Sequence, residues 1–226
     1  MTKITIIIPV LNEENNITKI LKNLQNDQDT EVIVVDGGSQ DITVQLVEEM
    51  GIKIVVSPQA GRAFQMNYGA LLATGDILLF LHADTILPQE YKTIITNLLS
   101  DKKVVGGAFE LKIDLPQFSL RIIETLVNWR SRFFSLPYGD QAIFVKKSIF
   151  EGMGGFSALP IMEDFEFMQR LKKYGKIAIA SAKVITSGRR WQKLGVLQTT
   201  LINQKIILGY YLGVSPDTLV RWYKGK

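Results

Sequence analysis

Apolar residues follow two alternating patterns along the first part of the chain. Short runs rich in Ile, Val and Leu predict strands that are buried on both faces of a parallel sheet. Segments with an apolar residue every three or four positions predict amphipathic helices between these strands. The predicted strands are Ile4–Val10, 32–35, Lys53–Val56 and 77–81, and the predicted helices are 16–24, 42–50 and 62–73. Because strand and helix alternate, we expect a doubly wound α/β fold.

The pattern changes after Asp84. Residues 106–113 predict a more isolated strand, and apolar spacing predicts helices over 120–134 and 165–174. The tail beyond Gly188 keeps helical spacing across 194–212, and we expect it to pack against the domain. Its spaced apolar residues are Leu194, Leu197, Leu201, Leu208 and Leu212. Since the chain contains neither a linker nor a repeat, it is predicted to form a single domain.

Composition narrows the possible classes of protein. Hydrophobic residues make up 46% and charged residues 21% of the chain, as in ordinary globular domains. The absence of cysteine excludes disulfides, thiolate zinc sites and a cysteine nucleophile. The chain has no apolar run of membrane-spanning length and no signal-peptide pattern at its start, so we expect a cytoplasmic protein. A dispersed net charge of +4 does not favour nucleic acid, but it is compatible with phosphate-bearing ligands or an anionic membrane.

Polar and acidic residues follow three of the predicted strands. Ligands of open α/β sheets bind at the carboxyl ends of the strands, where these residues would meet. They are Asn12 and Glu13 after the first strand, Asp36, Gly37, Gly38, Ser39 and Asp41 after the second, and His82, Ala83, Asp84 and Thr85 after the fourth. Each group alone is compatible with a turn or a helix cap. Their occurrence at one edge of the sheet favours a ligand crevice.

Two common nucleotide-binding motifs are missing. The turn after the first strand has no glycine, and no GxxxxGK[ST] loop occurs, which argues against dehydrogenases and P-loop enzymes. A diphosphate would therefore need another counter-charge, such as a metal ion on Asp84 together with Arg189 and Arg190.

Four motifs carry a resemblance to a known family. They are TIIIPVLNEE at 5–14, VDGGSQD at 35–41, GD at 75–76 with LHAD at 81–84, and MED at 162–164. Together they resemble family 2 glycosyltransferases of the GT-A fold over nearly the whole chain. Segments 139–144 and 187–191 resemble a small bacterial subgroup that is associated with radical-SAM or selenium-related domains.

The resemblance implies a GT-A-type α/β fold, with a doubly wound, mostly parallel sheet flanked by helices and a helical C-terminal tail. Residues 1–226 would form one domain, in which 1–114 bind a nucleoside diphosphate sugar and 115–226 face the acceptor. The donor-binding residues it implies are Pro9, Asn12, Glu13, Asp36, Gly38, Arg62, Asp76 and Ala83. Among these, Asp36 would contact the nucleotide base.

The resemblance also implies a divalent cation, Mn²⁺ or Mg²⁺, on Asp84. Family members usually carry Asp-x-Asp at this place, whereas this chain has His82-Ala83-Asp84. His82 is a second candidate ligand, and imidazole suits Mn²⁺ better than Mg²⁺. The alternative for this histidine is a structural hydrogen bond.

The resemblance makes Asp164 the catalytic base, which would take a proton from the acceptor hydroxyl. Glu163 would orient Asp164 or act on it through like-charge repulsion. The alternative is that both are acids at a helix start.

The residues expected near the diphosphate and the acceptor are Arg189, Arg190, Trp191, Asp140 and Gln141. The two arginines would stabilise charge on the leaving group. The alternative for them is a basic pair on the surface beside a packed tryptophan.

The segment 118–134 mixes arginines with large aromatic residues. This composition is typical of a helix that lies at a membrane interface, where it would meet a lipid-linked acceptor. The same segment is also compatible with a lid or an acceptor wall that touches no lipid. Peripheral contact with the inner membrane face is therefore left open beside a soluble cytoplasmic location.

The sequence thus predicts an inverting glycosyltransferase that moves a sugar to a hydroxyl acceptor. One alternative is a nucleotidyltransferase on a related sheet, which would carry a glycine-rich basic first loop that 11–16 do not provide. A second is a non-catalytic nucleotide-sugar-binding module, which would have lost Asp164 or Asp84. The sugar, the base, the acceptor and the oligomeric state are left open.

Overall fold

The computed structural model describes residues 2–24 and 29–225, which form one eight-stranded sheet flanked by helices. The strands are β1 (Ile4–Val10), β2 (Thr30–Asp36), β3 (Lys53–Val56), β4 (Ile77–Phe80), β5 (Thr85–Ile86), β6 (Val104–Ile113), β7 (Ile143–Lys146) and β8 (Lys176–Thr186). The helices are α1 (Ile17–Leu24), α2 (Thr43–Glu49), α3 (Arg62–Leu72), α4 (Tyr91–Ser100), α5 (Phe118–Phe134), α6 (Lys147–Gly152), α7 (Glu163–Leu171), α8 (Arg189–Leu194), α9 (Val196–Tyr211) and α10 (Pro216–Lys224). A 3-10 turn covers Gly139–Gln141.

The strand order is β3-β2-β1-β4-β7-β6-β8-β5. Strands β1 to β4 pair in parallel, as do β6 and β8, while β7 runs antiparallel to both β4 and β6. Successive residues of β1 enter opposite cores: Ile6 and Ile8 belong to one hydrophobic cluster, and Ile7 belongs to another. This explains the unbroken apolar run of β1, because both faces of the sheet are covered.

The predicted parallel half is confirmed, with strand ends that differ by at most two residues. The prediction of an isolated strand over 106–113 is wrong, because β6 lies inside the sheet and pairs with both β7 and β8. The apolar pattern of the sequence predicts neither β8 nor the short strand β7. In β8 the residues facing the core include Ala178 and Ala180, whose small side chains give a weak hydrophobic pattern.

Helix α5 turns its polar side towards the sheet. Its buried residues are Leu120, Glu124, Asn128 and Ser131. The side-chain amide of Asn128 donates to Leu111 O at 3.0 Å, and its Oδ1 accepts from Leu111 N at 2.7 Å. Glu124 Oε1 accepts from Ile113 N at 2.6 Å. Strand β7 pairs with β6 only at Gly106 and Gly107. Asn128 and Glu124 bond to backbone N–H and C=O groups of β6 beyond that point, which would otherwise lack partners.

We expect Asn128→Leu to lower the free energy of unfolding by about 2–3 kcal/mol, because a buried N–H and C=O of Leu111 lose their partners. Urea denaturation would measure the loss. The matched control is Leu126→Asn on the exposed face of the same helix, for which we expect a change within about 0.5 kcal/mol. Equal effects of the two substitutions would contradict the inward polar face.

The C-terminal tail is helical, as predicted, but it breaks at Gly195, which has φ 81°, and again after Tyr211. The tail packs against the domain, as expected, through Ile206, which clusters with Phe165 of α7, and not through its spaced leucines. Leu197, Leu201, Leu208 and Leu212 are all exposed, whereas α9 buries Thr199, Ile206 and Gly209. Helix α10 packs closely on Gly209, since a Cβ there would lie 2.8 Å from side-chain atoms of Leu219 and Trp222.

Candidate functional site

The loops that follow β1 and β2 form one hydrogen-bonded unit at the carboxyl edge of the sheet. Asn12, with φ 54°, donates its backbone N–H to Ser39 Oγ at 2.9 Å and accepts from Gln40 N at 2.8 Å through Oδ1. Glu13 N donates to Thr43 Oγ1 at 2.8 Å. The predicted donor residues Asn12 and Glu13 are therefore held against the second loop.

Asp36 shapes the second loop from within. Its buried carboxylate accepts from Gly38 N at 2.8 Å, from Ser39 N at 3.0 Å and from the Ser39 hydroxyl. Gly38 has φ 98°, a left-handed conformation that favours glycine. The loop itself already uses both carboxylate oxygens. The expected contact of Asp36 with a nucleotide base stays a prediction.

Gln65 was not identified from the sequence, although it supports this edge. Its buried amide donates to Val10 O and Val35 O, both at 2.8 Å, and so ties the ends of β1 and β2 together. A Cβ on Gly37 would lie 3.0 Å from this amide, which explains the glycine. A single glutamine in an amphipathic helix gave no signal of this role.

Arg189 bridges two carboxylates across the crevice. Its Nη2 lies 3.2 Å from Glu13 Oε2 and 3.1 Å from Asp84 Oδ2. The backbone brings the two segments together, because Ser187 N donates to Asp84 O at 3.0 Å. The structure thus joins predicted donor, metal and diphosphate residues in one place.

Protein side chains would supply only some of the ligands of a divalent cation bound at Asp84. Within residues 2–24 and 29–225, no three His, Cys, Asp or Glu side chains converge as a metal cluster. Mg²⁺ or Mn²⁺ can nevertheless bind through one or two carboxylates when substrate phosphates complete the shell. Asp84 and Glu13 fit that pattern, provided that the Arg189 guanidinium shifts towards the phosphates.

His82 fits the metal role less well. Its Nε2 lies 3.3 Å from Arg62 Nη1. Burial, assisted by the Arg62 charge, lowers the pKa of His82 to about 4, so the ring is neutral at pH 7. A neutral ring can accept a hydrogen bond from Arg62, which agrees with the structural alternative considered for this residue.

Asp164 lies at the start of α7, beside the 3-10 turn. Its Oδ2 accepts from Gly139 N at 2.7 Å, and its Oδ1 accepts from Phe165 N at 2.7 Å. A Cβ on Gly139 would lie 2.8 Å from His82 Nε2 and 3.0 Å from Asp164 Oδ2. A glycine at this position therefore lets the predicted base approach the loop that carries His82 and Asp84.

Glu163 is buried behind the predicted base. Its Oε1 forms a short ion pair with Arg62 Nε, and among the described residues its Oε2 has no hydrogen-bond partner. Burial raises the pKa of Glu163, although the Arg62 charge acts in the opposite direction. Arg62, predicted to bind the donor, is thus committed to Glu163 and His82.

A second carboxylate lies near Asp164. Burial raises the pKa of Asp140 to about 6, partly opposed by the charge of Arg130. Arg130 stacks 3.6 Å above the ring of Tyr138, which precedes the 3-10 turn. The atom Asp140 Oδ1 is buried without a hydrogen-bond partner in the described part of the chain. Asp140 lies close enough to Asp164 for the charge of Asp164 to raise the pKa of Asp140 as well, and its acceptor-side role stays a prediction.

Two site predictions are wrong. Asp76 precedes β4 at the amino edge of the sheet, where its carboxylate accepts from Lys3 N at 3.2 Å. At about 3.3 Å per residue, the length of β4 separates it from Asp84. Gln141 is fully buried, and it donates to Phe109 O at 2.9 Å and accepts from Ser131 at 2.8 Å. Its side chain holds the turn to the sheet rather than facing an acceptor.

Four further predicted residues lie at the edge of the site. Arg190 turns away from Asp84: its guanidinium stacks 3.7 Å over Tyr223 and donates to Tyr223 O. Trp191 and Ala83 pack against the hydrophobic core, and Pro9 lies in β1 opposite Val35. The side chain of Ala83 is buried in the core, so only its backbone could shape a donor pocket, whereas Pro9 is partly exposed.

Comparison with known proteins gives a family match that covers most of the chain. Residues 5–159 match the family model described as Glycosyl transferase family 2. An undecaprenyl-phosphate 4-deoxy-4-formamido-L-arabinose transferase of Pseudomonas fluorescens is 35% identical over 166 residues, which cover 66% of this chain and 48% of the relative. A 4,4'-diaponeurosporenoate glycosyltransferase of Staphylococcus haemolyticus is 35% identical over 39% of this chain and 26% of its own length. This chain thus spans half or less of these curated relatives.

Two solved structures share the fold. The mannosyltransferase PcManGT from Pyrobaculum calidifontis, in complex with GDP-Man and Mn²⁺, aligns with a TM-score of 0.65 and 20% identity, covering 80% of this chain and 56% of that one. S. aureus TarS 1-349, in complex with UDP-GlcNAc, aligns with a TM-score of 0.67 and 20% identity, covering 82% and 58%. The predicted fold class is confirmed, whereas the resemblance to the radical-SAM-associated subgroup stays a prediction.

Proposed function

Because the chain belongs to glycosyl transferase family 2, we propose that it transfers a sugar from a nucleoside diphosphate sugar to an acceptor hydroxyl, with inversion at the anomeric carbon. One observation carries this proposal. The Arg189 bridge between Glu13 and Asp84 and the carboxylate of Asp164 meet around the loop at 82–84, at the carboxyl edge of the sheet. A charged diphosphate and a base-activated hydroxyl require groups of these kinds.

In the proposed reaction, Asp164 accepts the proton of the acceptor hydroxyl. The hydroxyl oxygen forms a bond to the anomeric carbon while the bond from that carbon to the diphosphate oxygen breaks, and the nucleoside diphosphate leaves. Arg189 stabilises the negative charge that grows on the leaving group. Glu163 positions the start of α7 through its ion pair with Arg62.

A divalent cation on Asp84, with Glu13 beside it, would add to the neutralisation of the diphosphate when it is bound. The GDP-Man complex with Mn²⁺ of the Pyrobaculum mannosyltransferase supports this part of the proposal. The carboxylate oxygens of Asp84 and Glu13 would suit either Mn²⁺ or Mg²⁺.

We also propose a lipid-linked acceptor, presented to a cytoplasmic enzyme at the inner membrane face. The name of the Pseudomonas relative, an undecaprenyl-phosphate sugar transferase, supports this acceptor class. In the described part of the chain, no helix is long and apolar enough to cross a bilayer.

The donor proposal predicts metal-assisted binding of one nucleoside diphosphate in a calorimetric titration. UDP, GDP and other nucleoside diphosphates would each be titrated with Mn²⁺, with Mg²⁺ and with EDTA. We expect Asp84→Asn to abolish most of the metal-dependent gain, and Arg189→Gln to weaken affinity about 10- to 100-fold, the cost of a lost charged hydrogen bond.

The matched control is Asp76→Asn, which removes a carboxylate at the opposite edge of the sheet and should leave nucleotide affinity unchanged. If none of the nucleotides binds with either metal, the donor proposal fails. If Asp76→Asn weakens binding as much as Asp84→Asn does, the placement of the site is wrong.

A further inference from the structure

Helix α5 exposes a stripe of large apolar side chains. Phe118, Ile122, Leu126, Trp129 and Phe133 follow helical spacing, and each is about half or more exposed. Its inward face mixes the polar Glu124, Asn128 and Ser131 with Leu120, Ile123 and Val127, which pack on the core, so the exposed stripe is additional to the apolar residues that hold the helix to the domain. An outward apolar stripe of this size indicates a contact surface.

Helix α9 exposes a second stripe. Leu197, Leu201, Leu208 and Leu212 lie on one side at intervals of four, seven and four residues, and each is 60–75% exposed. Tyr211 adds an aromatic ring at the same end, also exposed. The family model ends at residue 159, so this helix lies beyond the matched region.

Helix α9 and the segment that follows α5 both pack beside α7, the helix of the proposed base. Leu136 and Tyr138, which follow α5, share a hydrophobic cluster with Ile202 and Tyr210 of α9 and with Phe165 of α7. Lys172, just after α7, donates to the last carbonyl of α5, that of Phe134, at 2.7 Å. The end of α5 and helix α9 therefore both lie next to α7, the helix that begins with Glu163 and Asp164.

Charge is concentrated in the same two segments. Residues 118–134 contain three arginines and one glutamate, and residues 189–226 contain seven lysines and arginines against one aspartate. Their net charges are +2 and +6, whereas the remainder of the chain carries −4. On α5 the charges of Arg121 and Arg132 are paired with Glu124 and Glu110, whereas on α9 the exposed Lys205 lies between Leu201 and Leu208. An apolar stripe beside basic residues is the combination that binds interfaces of anionic lipid.

We propose that the exposed stripes of α5 and α9, together with the exposed basic residues Lys193, Lys205, Arg221 and Lys224, form one surface that binds an anionic lipid bilayer. A second copy of the chain fits this surface less well, because two like-charged faces would be brought together. The inference extends the proposed lipid-linked acceptor, but it requires neither a donor nor turnover. Its test can therefore fail while the proposed transfer chemistry stands, and the reverse also holds.

The test is co-sedimentation of the purified chain, without nucleotide, with vesicles of phosphatidylcholine alone or mixed with phosphatidylglycerol. We expect stronger binding to the mixed vesicles, which weakens as salt screens the charges. Phe118→Ser/Phe133→Ser on α5 and Leu201→Ser/Leu208→Ser on α9 should each lower partitioning at least about tenfold, because two buried apolar side chains are lost. Lys193→Glu/Lys224→Glu should reduce the preference for anionic vesicles.

The matched control is Leu71→Ser, which removes an equally exposed leucine at the end of α3 and should leave partitioning unchanged. Circular dichroism would establish that each variant folds. Absence of binding to anionic vesicles, or binding that the stripe variants leave intact, would overturn the proposal. Sedimentation velocity that shows a dimer dissolved by Leu201→Ser/Leu208→Ser would assign the surface to a second copy and overturn it as well.

Discussion

Asp164→Asn is expected to lower the kcat of sugar transfer by a factor of about 10²–10⁴, which is the usual contribution of a general base. Donor affinity should change little, because the contacts of the Asp164 carboxylate are with Gly139 N and Phe165 N rather than with Glu13, Asp84 or Arg189. Steady-state kinetics with the donor identified by calorimetry would measure the loss.

The substitution Asp164→Asn also lowers the stability of the protein, and this effect must be separated from the loss of the base. The carboxylate of Asp164 accepts one backbone hydrogen bond on each oxygen, and an asparagine retains only one acceptor oxygen. We expect a loss of about 1–2 kcal/mol in the free energy of unfolding, which leaves a folded protein. Thermal unfolding of the variant, with the calorimetric titration, separates misfolding from loss of the base.

Asp140→Asn provides the comparison for the role of base. Burial raises the pKa of Asp140 to about 6, which would suit a group that exchanges protons near neutral pH. If Asp164→Asn retains full turnover while Asp140→Asn loses it, Asp140 is the base, and the proposed mechanism must be changed at that step.

Arg62→Ala is expected to destabilise the protein by about 3 kcal/mol at pH 8. Glu163 is 2% exposed in its side chain, and Arg62 is the cation paired with it. Removal of one partner from a buried pair typically costs about 3–5 kcal/mol, because the remaining charge is left uncompensated. The low end applies here, since the Arg62 side chain is 40% exposed.

The pH dependence of this effect has a definite sign. Burial already raises the pKa of Glu163 above its unfolded value, and loss of the Arg62 charge raises it further. The folded variant therefore binds a proton more tightly than the unfolded chain does, so the destabilisation is smallest below the unfolded pKa and grows as pH rises. Urea denaturation at pH 5 and pH 8 would measure the difference.

The double variant Arg62→Leu/Glu163→Gln should recover part of the stability at pH 8, because no buried charge remains. A loss that is equal at both pH values, and that the double variant does not reduce, would show that packing rather than charge holds this pair together.

The parallel half of the fold could be predicted because its strands are covered on both faces and therefore read as unbroken apolar runs. Strand β8 could not be predicted in this way, since Ala178 and Ala180 are too small to give a clear period. In the site, Glu13, Asp84, Arg189 and Asp164 lie around one loop, and the roles that the resemblance gives them stay predictions. The roles of Gln65 and Gly139 could not be predicted, because they depend on contacts with segments that are distant in the chain.

The side of α9 that packs against the domain could not be predicted from the sequence. Periodicity shows that Leu197, Leu201 and Leu208 share a side of α9, but it does not show which side faces the domain. That choice is made by Ile206 and Gly209, which pack against α7 and α10. The error over Asp76 differs in kind. The resemblance treats GD at 75–76 and LHAD at 81–84 as one motif, although the two parts lie at opposite ends of β4.

The polar face of α5 has a consequence for assembly and for engineering. Strand edges that keep free N–H and C=O groups recruit other strands, and this leads to aggregation. Glu124 and Asn128 occupy the open edge of β6 in place of a ninth strand. A chimera that replaces α5 with an ordinary amphipathic helix would uncover that edge, and would be expected to form strand-paired oligomers even though its core residues are unchanged.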